Sequence, residues 1–131
     1  LQQINYVSQL KLNNNYKLFF RAIHEFSWDY WHQVDEFTEL KKQLINLIDY
    51  QPPSQHFNLI YFDAFAPTAQ PELWEPEILE RIFGSLEPDG ILVTYCAKGS
   101  VKRIFKRLGG QVESIPGPPG KREMIRVIKA I

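Results

Sequence analysis

Two short segments of this sequence hold the residues best suited to chemistry. In Asp63-Ala64-Phe65-Ala66-Pro67 a carboxylate follows six largely apolar residues, and an aromatic ring and a proline follow it. A carboxylate at the end of an apolar run emerges from the core into a crevice, where it can accept hydrogen bonds from a ligand. The ring gives it a wall, and the fixed φ of proline stiffens the backbone beside it. Together they can hold a planar or amine-bearing substrate by one hydrogen-bonding edge. An Asp that merely caps a turn has the same local sequence. The second segment, Cys96-Ala97-Lys98-Gly99-Ser100, follows another apolar run. Its cysteine reads as a small buried hydrophobe.

Both segments need strands to deliver them. Phe57–Phe62 is a nearly continuous apolar run without clean alternation, the pattern of a central parallel strand covered on both faces. Ile91–Cys96 reads as a second such strand. Between them, Pro71 and Pro76 suit first turns of helices and not their interiors. One turn is therefore expected at 71–74 and a helix from Pro76 to about Leu86, with Ile78, Leu79, Ile82 and Phe83 inward. Glu87-Pro88-Asp89-Gly90 reads as a turn. Ser100 is a candidate N-cap for a helix whose Val101, Ile104, Phe105 and Leu108 form one stripe, with Gly109 as its left-handed terminator. Gln111–Ile115 and Glu123–Ala130 read as strands joined by the loop Pro116–Arg122. Strand–helix alternation implies a mainly parallel sheet with right-handed crossovers, and the last two strands imply a hairpin. In such a sheet ligands bind outside the carboxyl ends of the strands, where both segments fall.

The first half is less regular. Leu1–Leu12 and roughly residues 15–26 read as helices, the second carrying Tyr16, Phe19, Phe20, Ile23 and Phe26 at helical spacing. Trp28, Tyr30 and Trp31 read as a core plug. From Glu36 to Ile48 strand and helix patterns compete, and a strand over 37–41 entering a short helical turn is expected.

The 131 residues are 44% hydrophobic and 23% charged, a globular composition of single-domain length. No run of eighteen apolar residues occurs, so no membrane span is expected. A lone cysteine and no signal-peptide pattern suit a reducing cytoplasm. His24, His32 and His56 are scattered without metal-ligand spacing, so no metal is expected. The net charge of zero hides an asymmetry: residues 1–97 hold six Lys/Arg against thirteen Asp/Glu, whereas residues 98–131 hold nine against two. A basic final third suits a phosphate-bearing partner, although solvated faces of a helix and a strand carry such charge too.

Four blocks, taken together, carry a resemblance. Tyr61-Phe62-Asp63-Ala64-Phe65-Ala66-Pro67 comes first, followed by Gln70-Pro71-Glu72-Leu73-Trp74. Leu92-Val93-Thr94-Tyr95-Cys96-Ala97-Lys98-Gly99 and Pro116-Gly117-Pro118-Pro119-Gly120-Lys121-Arg122-Glu123-Met124 complete the set. In this order they resemble the tRNA 5-methylaminomethyl-2-thiouridine methyltransferase family, which comprises the methyltransferase half of the bifunctional wobble-uridine modification enzyme and its stand-alone relatives. Residues 1–50 match more loosely, through Ile23-His24 and Trp28. The resemblance implies a Rossmann-like class I α/β fold, a mostly parallel sheet with an antiparallel final strand. It implies S-adenosylmethionine as cofactor, tRNA as partner, and methyl transfer to the amine of 5-aminomethyluridine or its 2-thio form. Asp63 is then the catalytic, amine-orienting residue. Phe65, Pro67 and Trp74 are expected to wall the uridine pocket, Lys98, Lys121 and Arg122 to contact phosphate, and Asp63, Ala64 and Tyr95 to border the cofactor. Trp74 taken alone more often marks a core position. A methyltransferase of a small-molecule or protein amine would use the same Asp63 and Phe65. A non-catalytic module that self-associates through an exposed sheet edge is the third reading.

All seven glycines lie at or after Gly84, so the glycine-rich cofactor loop that the resemblance implies is not in this sequence. The sequence is thus expected to be the later part of a longer methyltransferase domain. These 131 residues alone should bind S-adenosylmethionine poorly, and calorimetry giving a micromolar Kd would contradict this.

Overall fold

The pairing of β3 (Phe57–Tyr61) with β4 (Leu86–Thr94) sets the register of everything near the two candidate segments. The computed structural model describes residues 14–120 and 123–130; the helix expected over Leu1–Leu12, and Lys121 and Arg122, lie outside the described residues. The chain divides into two units, Leu1–Ile45 and Asn46–Ile131.

In the first unit, α1 (Asn14–Glu25) matches the helix expected over residues 15–26. It is followed by an antiparallel hairpin of β1 (Trp31–Gln33) and β2 (Glu39–Lys41), with Trp31 opposite Lys41. Asp35 turns the hairpin: its Oδ1 accepts the Phe37 amide at 2.9 Å, and this bond holds its carboxyl below the ordinary carboxylate range. The expected core plug is not one. Trp28, Tyr30 and Trp31 are 49%, 69% and 66% exposed, because a three-residue strand in a two-stranded ribbon has no covering layer within its unit. Lys42 Nζ lies 4.9 Å from the centre of the Trp28 ring. The competing helix pattern after residue 41 resolves as irregular chain with a turn closed by the Asp49 and Tyr50 amides on the Asn46 carbonyl.

In the second unit the sheet order is β3-β4-β6-β5, with β5 at Gly110–Pro116 and β6 at Glu123–Lys129. β3 and β4 are parallel, while β6 runs antiparallel to both β4 and β5. Three strands therefore share one direction and the final strand opposes them, as expected. A 3₁₀ turn (Pro71–Trp74), α2 (Pro76–Gly84) and α3 (Gly99–Arg107) fill the connections, and the two prolines stand at first-turn positions.

The core lies between the sheet and the two helices. Leu79 of α2, Phe105 of α3, Leu86 and Leu92 of β4, and Ile125 and Val127 of β6 are fully buried. Each such side chain gains roughly 1.5–3 kcal/mol on leaving water. Ile78, Leu79, Ile82 and Phe83 all face inward, as do Val101 and Phe105, so the helical stripes read correctly. Gly109 has φ of +87° just past α3, the left-handed terminator its position suggested.

Three expectations are corrected here. β3 is an edge strand among the described residues, not a central one. Its Ile60 and Phe62 face the core, whereas Leu59 and Tyr61 on the other face are 47% and 74% exposed. Ser100 is not the cap of α3: Lys98 holds the N-cap position, without a side-chain cap bond, and Ser100 lies in the first turn. The turn at Glu87–Gly90 does not precede β4 but interrupts it as a bulge. Phe57 pairs with Leu86 and Leu59 with Ile91, so β4 carries extra residues that loop out, with Asp89 at φ +61°.

Gly110 opens β5 where nothing larger fits. An added Cβ would stand 2.6 Å from Val127 Cγ1 and 3.0 Å from the Phe105 carbonyl oxygen. Both neighbours are core, so neither can swing away. Gly110→Ala is expected to lower the unfolding free energy by about 1–3 kcal/mol in a urea titration, whereas Gly84→Ala, with nothing within 4 Å of the new atom, should not clash.

Candidate active site

Asp63 is placed by the strand before it. The Phe62 amide donates to the Val93 carbonyl at 2.9 Å, carrying the β3–β4 ladder one residue beyond Tyr61. The next residue, Asp63, then leaves the sheet at its carboxyl edge, beside Tyr95 at the end of β4. Its side chain is exposed, and its carboxylate has no hydrogen bond or ion pair among the described residues. All its acceptor capacity is open to a ligand.

The backbone after Asp63 is fastened at successive carbonyls. Tyr95 Oη donates to Ala64 O at 2.7 Å, and Trp74 Nε1 donates to Phe65 O, also at 2.7 Å. Ala66 O then accepts the amides of Ala69 and Gln70 at 2.7 and 2.9 Å, closing the turn that carries Pro67. The two clamping rings belong to one aromatic cluster: Trp74 meets Phe62 edge-on at 5.1 Å and Tyr95 edge-on at 6.1 Å. A single cluster thus ties the end of β3, the end of β4 and the 3₁₀ turn to the loop that carries Asp63.

This arrangement borders a cleft of about 340 Å³, lined by Tyr61, Asp63, Val93, Tyr95 and Met124 among others. Of the residues expected at the site, Asp63 and Tyr95 line this cleft, and Ala64 lies beside it through its carbonyl bond to Tyr95. Phe65 projects into solvent at 72% exposure, and Pro67 is half-buried. Trp74 is buried in the core, so it supports the loop from beneath and does not wall the cleft. Cys96 is buried too, as a small hydrophobe. Lys98 is exposed at the start of α3. The sequence reading missed Met124, brought to the cleft by the β4–β6 register that sets Thr94 opposite Ile125. It also missed the two carbonyl clamps; the only signal for them was two aromatic residues with polar tips placed to approach one loop.

Tyr95 responds to its position. Partial burial pushes its phenol above the ordinary value of 10.0, and the Cys96 and Asp63 groups add in the same direction. The neutral donor is therefore the form the fold prefers. The stability this gives is complete below the ordinary phenol value and is lost as pH rises through the raised one. Tyr95→Phe should cost about 1 kcal/mol at pH 7. Urea titrations of both proteins should show that difference shrinking above pH 10.

The sequence pattern of the family described as S-adenosyl-L-methionine-dependent methyltransferase matches residues 17–130. The tRNA 5-methylaminomethyl-2-thiouridine biosynthesis bifunctional protein MnmC of Psychrobacter sp. (strain PRwf-1) is 32% identical over 88 residues, 67% of this chain and 12% of that protein. The protein of the same name from Azoarcus sp. (strain BH72) is 36% identical over 64 residues, 49% of this chain and 10% of that one. The chain thus matches only a small part of the length of these curated relatives. A crystal structure of MNMC2 from Aquifex aeolicus shares the fold, with a TM-score of 0.69 at 22% identity over 92% of this chain and 39% of that one. The Rossmann-like α/β arrangement, with its opposed final strand, agrees with this fold. On the match over residues 17–130, the chain belongs to the S-adenosyl-L-methionine-dependent methyltransferase family.

Proposed function

We propose that the protein methylates the primary amine of 5-aminomethyluridine, or its 2-thio form, at the wobble position of tRNA. The observation that carries this reading is Asp63, a carboxylate without a partner among the described residues, at the end of β3 on a loop clamped at two successive carbonyls. The names of the curated relatives support the substrate, since they are tRNA 5-methylaminomethyl-2-thiouridine biosynthesis proteins.

S-adenosylmethionine, the cofactor of the family, supplies an electrophilic methyl group on a positively charged sulfur. The residues present fit one side of such a group. Val93, Met124 and the Tyr95 ring offer apolar surface in a cleft of about 340 Å³, and Asp63 at its mouth offers negative charge. Asp63, Ala64 and Tyr95 are the residues of this chain that would border it.

An alkylammonium has a pKa of about 10, and only its neutral form has a lone pair with which to attack. Asp63 accepts hydrogen bonds from the amine, turns its lone pair toward the methyl group and, second, receives a proton. Orientation is the larger part: holding reacting atoms about 3–3.5 Å apart can lower a barrier by roughly 7–11 kcal/mol. That explains why the loop is fastened so closely, because a carboxylate on a loose loop could not define a direction. In this reading Phe65 and Pro67 border the uridine, and Lys98, Lys121 and Arg122 meet phosphate.

The test is mass spectrometry of wobble nucleosides after full-length protein, wild type or Asp63→Ala, is incubated with S-adenosylmethionine and tRNA carrying 5-aminomethyluridine. Wild type should yield the methylamino product, and the variant should lose at least a hundredfold in rate. Asp63 has no partner among the described residues, so its removal should leave the melting temperature unchanged. Equal methylation by both proteins would remove Asp63 from the mechanism.

A further inference from the structure

The cations of the final third separate into those the fold uses and those it leaves free. Lys102 Nζ is 3.0 Å from Ser114 Oγ and 3.2 Å from Glu123 Oε1, joining α3 to β5 and β6. Arg126 pairs with Glu113, and Lys129 Nζ donates to the carbonyls of Gly84 and Leu86. Lys98, Arg103, Lys106 and Arg107 are all exposed and have no side-chain partner among the described residues.

Their placement is ordered. Lys98, Lys102 and Lys106 follow one another at intervals of four, as do Arg103 and Arg107, and α3 contains no acidic residue at all. Like charges four apart on a helix repel, and cations in a first turn oppose the helix dipole. Lys106 and Arg107 in the last turn suit that dipole and Glu123 answers Lys102, so the repulsion that remains lies along the exposed face of Lys98, Arg103, Lys106 and Arg107, where an anion would ease it. α2 is packed beside α3, with the Phe83 and Phe105 rings 5.9 Å apart, and carries the opposite charge: Glu77 and Glu80 are exposed on it. A polyanion is therefore drawn to one helix and turned away from its neighbour.

The stripe also has a starting point. α3 begins at the carboxyl edge of β4, the edge that carries Asp63 and Tyr95, and leads from there toward Gly110. Its nine residues run roughly 13 Å. A substrate no larger than one nucleoside would have no use for it.

We infer that the outer face of α3, through Lys98, Arg103, Lys106 and Arg107, is the track on which the phosphodiester backbone of the RNA substrate lies as its modified nucleotide enters the Asp63 cleft. This rests on the proposed function and adds to it where the rest of the RNA is held. The contacts are to phosphate, so they set affinity and position without reading sequence.

The experiment measures tRNA binding by full-length protein across a KCl series, for wild type, the triple variant Arg103→Gln/Lys106→Gln/Arg107→Gln, and the charge-keeping Arg103→Lys/Arg107→Lys. Each lost phosphate contact should reduce the slope of log K against log salt by about 0.7–0.9, so the triple variant should lose about 2–3 in slope. Its melting temperature and S-adenosylmethionine affinity should match wild type, and the Lys variant should keep the wild-type slope. If the triple variant binds tRNA with wild-type affinity and slope while wild type methylates it, the α3 track is wrong and the proposed function stands. If wild-type protein neither binds nor methylates the tRNA, both fall together.

Discussion

The hydrogen bond from Tyr95 Oη to Ala64 O joins the ends of two parallel strands across the edge where the site forms. Pairing within the β3–β4 ladder stops at Phe62, and beyond it the chain would be free to fray. Tyr95 ends that freedom on one side, and Trp74 does the same for the next carbonyl on the other. Each bond alone is worth only about 0.5–1.5 kcal/mol. Their value is positional: consecutive carbonyls held from two directions leave the peptide planes between them little room to rotate. Asp63 is thereby held in place by its backbone, although its own carboxylate makes no hydrogen bond or ion pair among the described residues.

The same economy appears lower in the sheet. The junction of α2 and β4 serves as an anchor for two other strands. Its Gly84 and Ser85 carbonyls receive the amides of Gln55, His56 and Phe57, which start β3. The Gly84 and Leu86 carbonyls also receive Lys129 from the end of β6. Ser85, buried, returns its hydroxyl proton to Ile82 O at 2.7 Å. Backbone groups that a helix end would otherwise leave unpaired are thus spent on fixing strand positions, and no buried side-chain polar atom lacks a partner among the described residues.

What could be read from the sequence was whatever depends on local pattern. The stripes of α2 and α3, the prolines at first turns, the glycine after α3 and the carboxylate at a strand end are each set by a few adjacent residues. What could not be read depends on which strand stands beside which. An apolar run such as 57–62 looks the same on an edge as in a centre, and the exposure of Leu59 and Tyr61 follows from neighbours. Trp74 shows the limit best: its spacing gave no way to tell a wall from a support, because both need a large ring, and only the bond to Phe65 O separates them. Tyr30 and Trp31 misled for the opposite reason, since aromatic residues on a short hairpin look buried until one asks what lies over them.

The position of β6 has a consequence for how the molecule is made. It comes last among the described strands, yet it sits inside the sheet, between β4 and β5. While the chain emerges from the ribosome, β4 and β5 have no direct partner in each other, and the slot between them stays open until residues 123–129 arrive. The core facing α3 is completed by Ile125 and Val127, which β6 alone supplies. A chain without residues 123–129 would leave β5 with no strand beside it among the described residues.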